Sequence, residues 1–258
     1  MHLPERRRKE IASLTQRKYR ERLGQMLIEG TRSVESAVAA GAPLVDVVVS
    51  ESHVHDTEVR ALVDGLAVPV YILPERELAR ISDVEASQGV CAVARTELFP
   101  EDRLETLRSV LALDGLQDPG NVGTLLRTAA WFGVDGVVAG PGTVDFFNPK
   151  LVRSAMGGLW DVRLTRSGDL ADLLTRLGRA GFHRYGADLA GACVSDWRPS
   201  LPAVLVLGSE AHGLAASTAA ALDERVTIPG HPHRHGAESL NVAVAGGILM
   251  HRWLGAAP

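Results

Sequence analysis

From residue 25 onward, short apolar runs alternate with stretches whose apolar positions recur every three or four residues. The runs predict buried strands, and the recurring positions predict amphipathic helices. Their alternation predicts an α/β architecture with mainly parallel sheets. Early strands are expected at 25–29, 45–50, 69–73 and 89–94, with helices at 32–40, 57–65 and 75–81. A charged, nonperiodic stretch from Arg95 to Arg103 contains Pro100 and reads as a linker. Two domains are therefore expected, at 1–98 and 107–258.

The second domain opens on a strand at 110–113, with further strands at 136–139, 162–164, 183–187, 204–207 and 225–228. Val122, Leu125, Leu126, Ala129 and Ala130 form one helical stripe, with Asn121 as its expected N-cap and Gly133 at C′. A last helix is expected from Asn241, with a stripe of Val242, Ala245, Gly246, Leu249, Met250 and Trp253.

With 46% hydrophobic and 22% charged residues, the chain has the composition of an ordinary globular protein. No apolar run approaches the roughly 18 residues of a membrane span, so no membrane association is expected. The charged start lacks the apolar core of a signal peptide. Cys91 and Cys193 have no partner motif and read as buried free thiols of a reducing cytoplasm. The net charge of −4 does not suggest nucleic acid, but its distribution changes the picture. Between Glu5 and Arg22 lie eight basic residues (Arg6, Arg7, Arg8, Lys9, Arg17, Lys18, Arg20, Arg22) and three acidic ones. Such a segment can neutralise phosphates, and it reads equally as a solvated arm.

Three segments place glycines or polar residues directly after a strand, where open α/β sheets bind ligands. The first runs from Leu113 through Asn121 and Gly123 to Arg127. Arg127 falls off the apolar stripe and shares a face with Gly123, so its guanidinium can grip a phosphate or orient a hydroxyl. The second is Leu207-Gly208-Ser209-Glu210, ending in Gly213-Leu214. Gly208 lets backbone amides approach a ligand closely, and a nucleophile elbow is excluded by the spacing. The third joins Ile228-Pro229-Gly230 to Glu238-Ser239-Leu240-Asn241-Val242, where Ser239 is an expected helix cap. Taken singly, each segment also reads as ordinary capping or a strand-to-helix turn.

In this order and spacing, the three segments resemble the SpoU/TrmH family of SPOUT RNA methyltransferases. The resemblance spans roughly 107–258. A looser one, carried by Gln25 to Val34, links the first domain to this family's ribosomal-protein-like RNA-binding domain. The resemblance implies a trefoil-knotted C-terminal domain with a parallel sheet, beside a smaller N-terminal α/β RNA-binding domain. It implies binding of S-adenosyl-L-methionine by Leu207, Gly208, Ile228, Pro229, Ser239 and Leu240. It implies a polar reaction site of Asn121, Arg127, Glu210, Ser239 and Asn241, methylating a ribose 2′-hydroxyl. The implied substrate is structured RNA, with ribosomal RNA (23S) ahead of transfer RNA. A homodimer through the C-terminal domain is also implied, with the 242–253 stripe as interface. The sequence departs from the family pattern at Gly230, usually methionine, and at Ala243, often serine.

The chemistry agrees with this set of residues. Displacement at a sulfonium needs alignment of the attacking oxygen and a route for its proton, and no metal. Guanidinium groups hold their proton at neutral pH, so the expected role of Arg127 is orientation and charge stabilisation, with Glu210 or solvent taking the proton. Two rivals stand beside this reading. His231, His233 and His235 would share one face of an extended strand and could hold Zn²⁺. The chain could also bind RNA without catalysis. Neither dinucleotide-binding nor P-loop glycine patterns occur.

Overall fold

The structure, a computed structural model, describes residues 3–82, 88–231, 236 and 238–255. Its elements, in chain order, are α1 (Glu5–Ser13), α2 (Arg17–Leu23), β1 (Gln25–Glu29), α3 (Thr31–Ala39), β2 (Leu44–Ser50), α4 (Thr57–Val63), β3 (Val70–Leu73), α5 (Glu75–Leu78) and β4 (Val90–Arg95). A 3₁₀ turn at Glu101–Thr106 leads to β5 (Ser109–Asp114), α6 (Pro119–Phe132), β6 (Gly136–Ala139), α7 (Pro149–Ala155), β7 (Arg163–Arg166) and α8 (Leu170–Arg179). The remainder is β8 (His183–Cys193), β9 (Ala203–Gly208), α9 (Ala216–Ala220), β10 (Glu224–Thr227) and α10 (Val242–Leu254). The chain forms two compact units, residues 1–97 with 147–160, and residues 98–146 with 161–258.

The first unit holds a sheet of order β1-β4-β2-β3. Here the expectation of mainly parallel pairing needs correction. β4 lies antiparallel to both β1 and β2, and only β2–β3 is parallel. An apolar run predicts burial but carries no sign of strand direction. The basic N-terminal segment is likewise not a solvated arm. It folds into α1 and α2, and Leu3, Ile11 and Leu14 are buried with Leu27, Val48 and Leu73. Each such side chain contributes about 1.5–3 kcal/mol. Most of the basic groups are spent internally. Arg7 pairs with Asp46, Arg8 with Glu77 at 3.0 Å, Arg6 with Glu10 at 3.2 Å, Lys9 with Glu5 at 3.0 Å and Arg17 with Glu21 at 2.7 Å. The buried Arg20 guanidinium donates to the carbonyls of Leu14 (2.8 Å) and Thr15 (2.9 Å). The excursion 147–160 groups with this unit. In it α7 lies against β1, and Arg153 pairs with the buried Glu29. Burial, followed by the nearby Glu29 charge, pushes the Cys91 thiol up, leaving it protonated. Cys193 is only half-buried, and its sulfur accepts from the Ser195 hydroxyl at 3.1 Å.

The second unit is a wholly parallel six-stranded sheet of order β10-β8-β9-β5-β6-β7. Strand side chains alternate between its faces. Val110, Ala112, Val204 and Val206 pack with Leu170, Leu173, Leu174 and Leu177 of α8. α6 and α10 lie together against the opposite face. A Cβ at Gly246 would stand 2.4 Å from Leu125 and 2.8 Å from Leu207, so glycine there lets the two helices and β9 meet. The buried residues of α10 are Val242, Ala243, Gly246, Leu249, Met250 and Trp253. Apart from the half-buried Ala245, the expected stripe is core within this chain, and any interface on α10 must use another face. Among the described residues, no helix is long and apolar enough to cross a membrane.

Candidate active site

Parallel pairing brings the carboxyl ends of β8, β9 and β10 to one edge of the second unit. A pocket of ≈490 Å³ opens there. Its lining includes Leu207, Gly208, Glu210, Ile228, Ser239 and Leu240, drawn from the second and third sequence segments. Pro229 and Arg127 do not line it. Both are exposed, Arg127 on α6 one turn beyond Gly123.

The loop after β9 is tightly closed. Ser209 N–H donates to the Gly213 carbonyl at 3.0 Å, and Gly213 N–H returns a bond to Ser209 at 2.8 Å. A Cβ on Gly208 would lie 2.3 Å from the Gly213 carbonyl carbon and 2.5 Å from Leu214 N. Only glycine allows this approach. From the neighbouring strand, the buried Asp114 carboxylate accepts Ala215 N–H at 2.7 Å and pins the far end of the loop.

Three polar residues from three segments meet beside the pocket, which Glu210 lines and which Asn121 and Asn241 do not. Asn241 is the N-cap of α10, and its Oδ1 accepts from Ala243 N (3.0 Å) and Val244 N (3.3 Å). That bond turns its amide nitrogen to Asn121 Oδ1 at 3.0 Å and Glu210 Oε1 at 3.3 Å. The Asn121 amide nitrogen also donates to Glu210 Oε1. Two capping expectations are corrected here. Asp118, not Asn121, caps α6, with Pro119 following, and Asp118 Oδ1 accepts Asn121 N–H at 2.8 Å. Asn121 thus sits inside the first turn with its side chain free of capping duty. Ser239 does not cap α10, because Asn241 does.

Sequence reasoning missed Ala187, Asp188 and Leu189, which form another wall of the pocket. β8 runs to Cys193, well past the expected strand end, and its register against β10 jumps from Gly186 to Ala192. The intervening bulge is held by Asp188 to Arg225 at 3.2 Å. The signal was Gly191, whose Cβ would lie 2.5 Å from the backbone of Arg225 and Val226. Of the three histidines, His231 is exposed, whereas His233 and His235 lie outside the described residues. Among the described residues no cluster of metal-ligating groups occurs.

Comparison with known proteins places this architecture. Residues 108–251 match the model of the SpoU rRNA Methylase family, and residues 6–92 match the MRM3-like substrate binding domain. The chain is 33% identical over 248 residues to the 23S rRNA (guanosine(2553)-2′-O)-methyltransferase RlmP of Bacillus subtilis, covering 96% of this chain and 95% of that protein. It is similar to a candidate RNA methyltransferase of the TrmH family from Porphyromonas gingivalis, with TM-score 0.87, 35% identity and full coverage of both chains (100% and 100%). It is also similar to the SpoU methyltransferase AviRb from Streptomyces viridochromogenes in complex with AdoMet, with TM-score 0.86, 25% identity and coverage of 96% and 97%. By matched family model, overall fold and identity along nearly its whole length, the chain belongs to the SpoU rRNA methylase family.

Proposed function

We propose that this chain is an S-adenosyl-L-methionine-dependent methyltransferase that modifies a ribose 2′-hydroxyl of structured RNA, with 23S ribosomal RNA as substrate. One observation carries the reading. The Asn121–Glu210–Asn241 cluster is assembled from three distant segments at the edge of a pocket formed by parallel strand ends. Family membership and the activity of the Bacillus subtilis relative support the acceptor and the RNA. The AdoMet complex of AviRb supports the cofactor.

The pocket suits that cofactor. Its volume of ≈490 Å³ lies within the range of about 300–1,000 Å³ common to small-molecule sites. Leu207, Ile228 and Leu240 supply apolar walls, while Gly208 exposes backbone groups beside them. S-adenosylmethionine, when bound, supplies a methyl group on a sulfonium, already activated toward displacement. Gly208, Ile228 and Leu240 would hold it through backbone groups and Ser239 through its hydroxyl, while Pro229, exposed and outside the lining, would not touch it. The Asn121 and Asn241 amide nitrogens both donate to Glu210 Oε1, which orients the carboxylate and leaves Oε2 to accept the hydroxyl proton. Arg127 aligns the RNA by holding a phosphate beside the acceptor sugar. The reading also includes the trefoil knot that the family resemblance implies and a cytoplasmic setting for the reaction.

The same reading includes a homodimer through the second unit. Trp131 is 85% exposed on α6, and Val244 and Ile248 are 53% and 38% exposed on α10. Phe132 and His251 rings, 5.7 Å apart, tie the two helices together. Burying an exposed tryptophan and its aliphatic neighbours favours self-association. Light scattering during gel filtration is expected to give twice the chain mass for the native protein and the monomer mass for the Trp131→Asp/Ile248→Asp variant. A monomeric native protein would overturn the dimer.

The function is tested by incubating the protein with methyl-labelled S-adenosylmethionine and a 23S rRNA transcript, then digesting the RNA to nucleosides. Label in a 2′-O-methylnucleoside is expected. Label in a base would contradict the acceptor assignment.

A further inference from the structure

The structure sorts the eight basic residues of the N-terminal segment by what they face. Five pair with carboxylates and Arg20 is buried on backbone carbonyls. Lys18 and Arg22 differ. Among the described residues neither has a carboxylate partner, and both are exposed on α2. They stand one helical turn apart, and each charged centre lies 4.8 Å from the centroid of the same ring, that of Tyr19. The two charges are therefore within two such lengths of each other. The ring face attracts both cations and limits their freedom before any ligand arrives. The Tyr19 hydroxyl also has no hydrogen-bond partner among the described residues. Two cations without carboxylate partners, held at one ring that also carries a hydroxyl, form a site for polyanionic backbone.

We propose that Lys18, Tyr19 and Arg22 form an RNA phosphodiester contact on the first unit, separate from the reaction pocket. The proposal rests on the RNA-substrate reading above and adds a named anchoring point to it. Such contacts position RNA without reading its sequence, and each releases counterions on binding. The site therefore governs RNA affinity and its salt dependence, while donor binding and turnover at saturating RNA are untouched.

The test measures binding of the full-length protein to a 23S rRNA transcript across a salt series. In Lys18→Ala/Arg22→Ala, the slope of log K against log salt is expected to shrink by about 1.4–1.8, with binding about tenfold weaker at physiological salt. Lys18→Arg/Arg22→Lys keeps both charges and should keep the slope. Arg6→Ala/Lys9→Ala removes two charges that already face carboxylates and should also leave it unchanged. Binding of labelled S-adenosylmethionine should be the same in all. Native affinity and slope in Lys18→Ala/Arg22→Ala would overturn the site and leave the proposed function standing. An equal loss in Arg6→Ala/Lys9→Ala would overturn it as a local site. Failure of the native protein to bind the transcript would remove the RNA reading and this site together.

Discussion

Replacing Gly208 by alanine is expected to weaken S-adenosylmethionine binding by about 100-fold, on the order of 3 kcal/mol. The added methyl would sit 2.3 Å from the Gly213 carbonyl carbon and 2.4 Å from its oxygen. These are backbone atoms, and Gly213 is fixed by its paired hydrogen bonds to Ser209. No side-chain rotation can relieve the clash, so the loop must move, carrying Glu210 and the pocket wall with it. Titration calorimetry with the donor reads this directly, and a melting curve separates a displaced loop from a lost fold. Unchanged donor affinity would show that the turn after β9 does not shape the binding site.

The second large effect is expected at Arg127. Arg127→Ala should lower turnover by about 100-fold or more, in the range seen when a positioned charge donor is removed from a reaction site. Donor affinity should stay at the native value, because Arg127 does not line the pocket. Arg127→Lys should recover little, since an ammonium keeps the charge but loses the planar fork that grips a phosphate. Single-turnover rates together with donor titration separate these effects. Native turnover in Arg127→Lys would remove the orienting role.

The parts of the fold legible in the sequence were those in which burial leaves a strong pattern. The apolar runs that became β2, β5 and β9 were plain, as was the start of α10 at Asn241. Local competition hid other features. Asp118 and Asn121 are both good capping residues three positions apart, and Pro119 decides between them because proline suits the first helical position. That choice matters, since an Asn121 engaged in capping could not meet Glu210 and Asn241. α1 was illegible because its core contribution rests on Ile11, with Leu14 just beyond, inside a run of charge. The bulge in β8 was hidden for a different reason. Ala187 to Ala190 alternate no more clearly than a loop, and their place in the pocket depends on pairing with a distant strand. The meeting of three polar residues could be inferred only from resemblance, because it arises from tertiary approach of segments up to 120 positions apart.

The most direct test of the account is a crystal structure of the protein with S-adenosylmethionine. The account predicts the donor against Leu207, Gly208, Ile228 and Leu240, with its methyl group directed toward the space bounded by Glu210 and Asn121. A donor bound elsewhere on the chain, or one whose methyl is shielded from Glu210 by the protein, would contradict it.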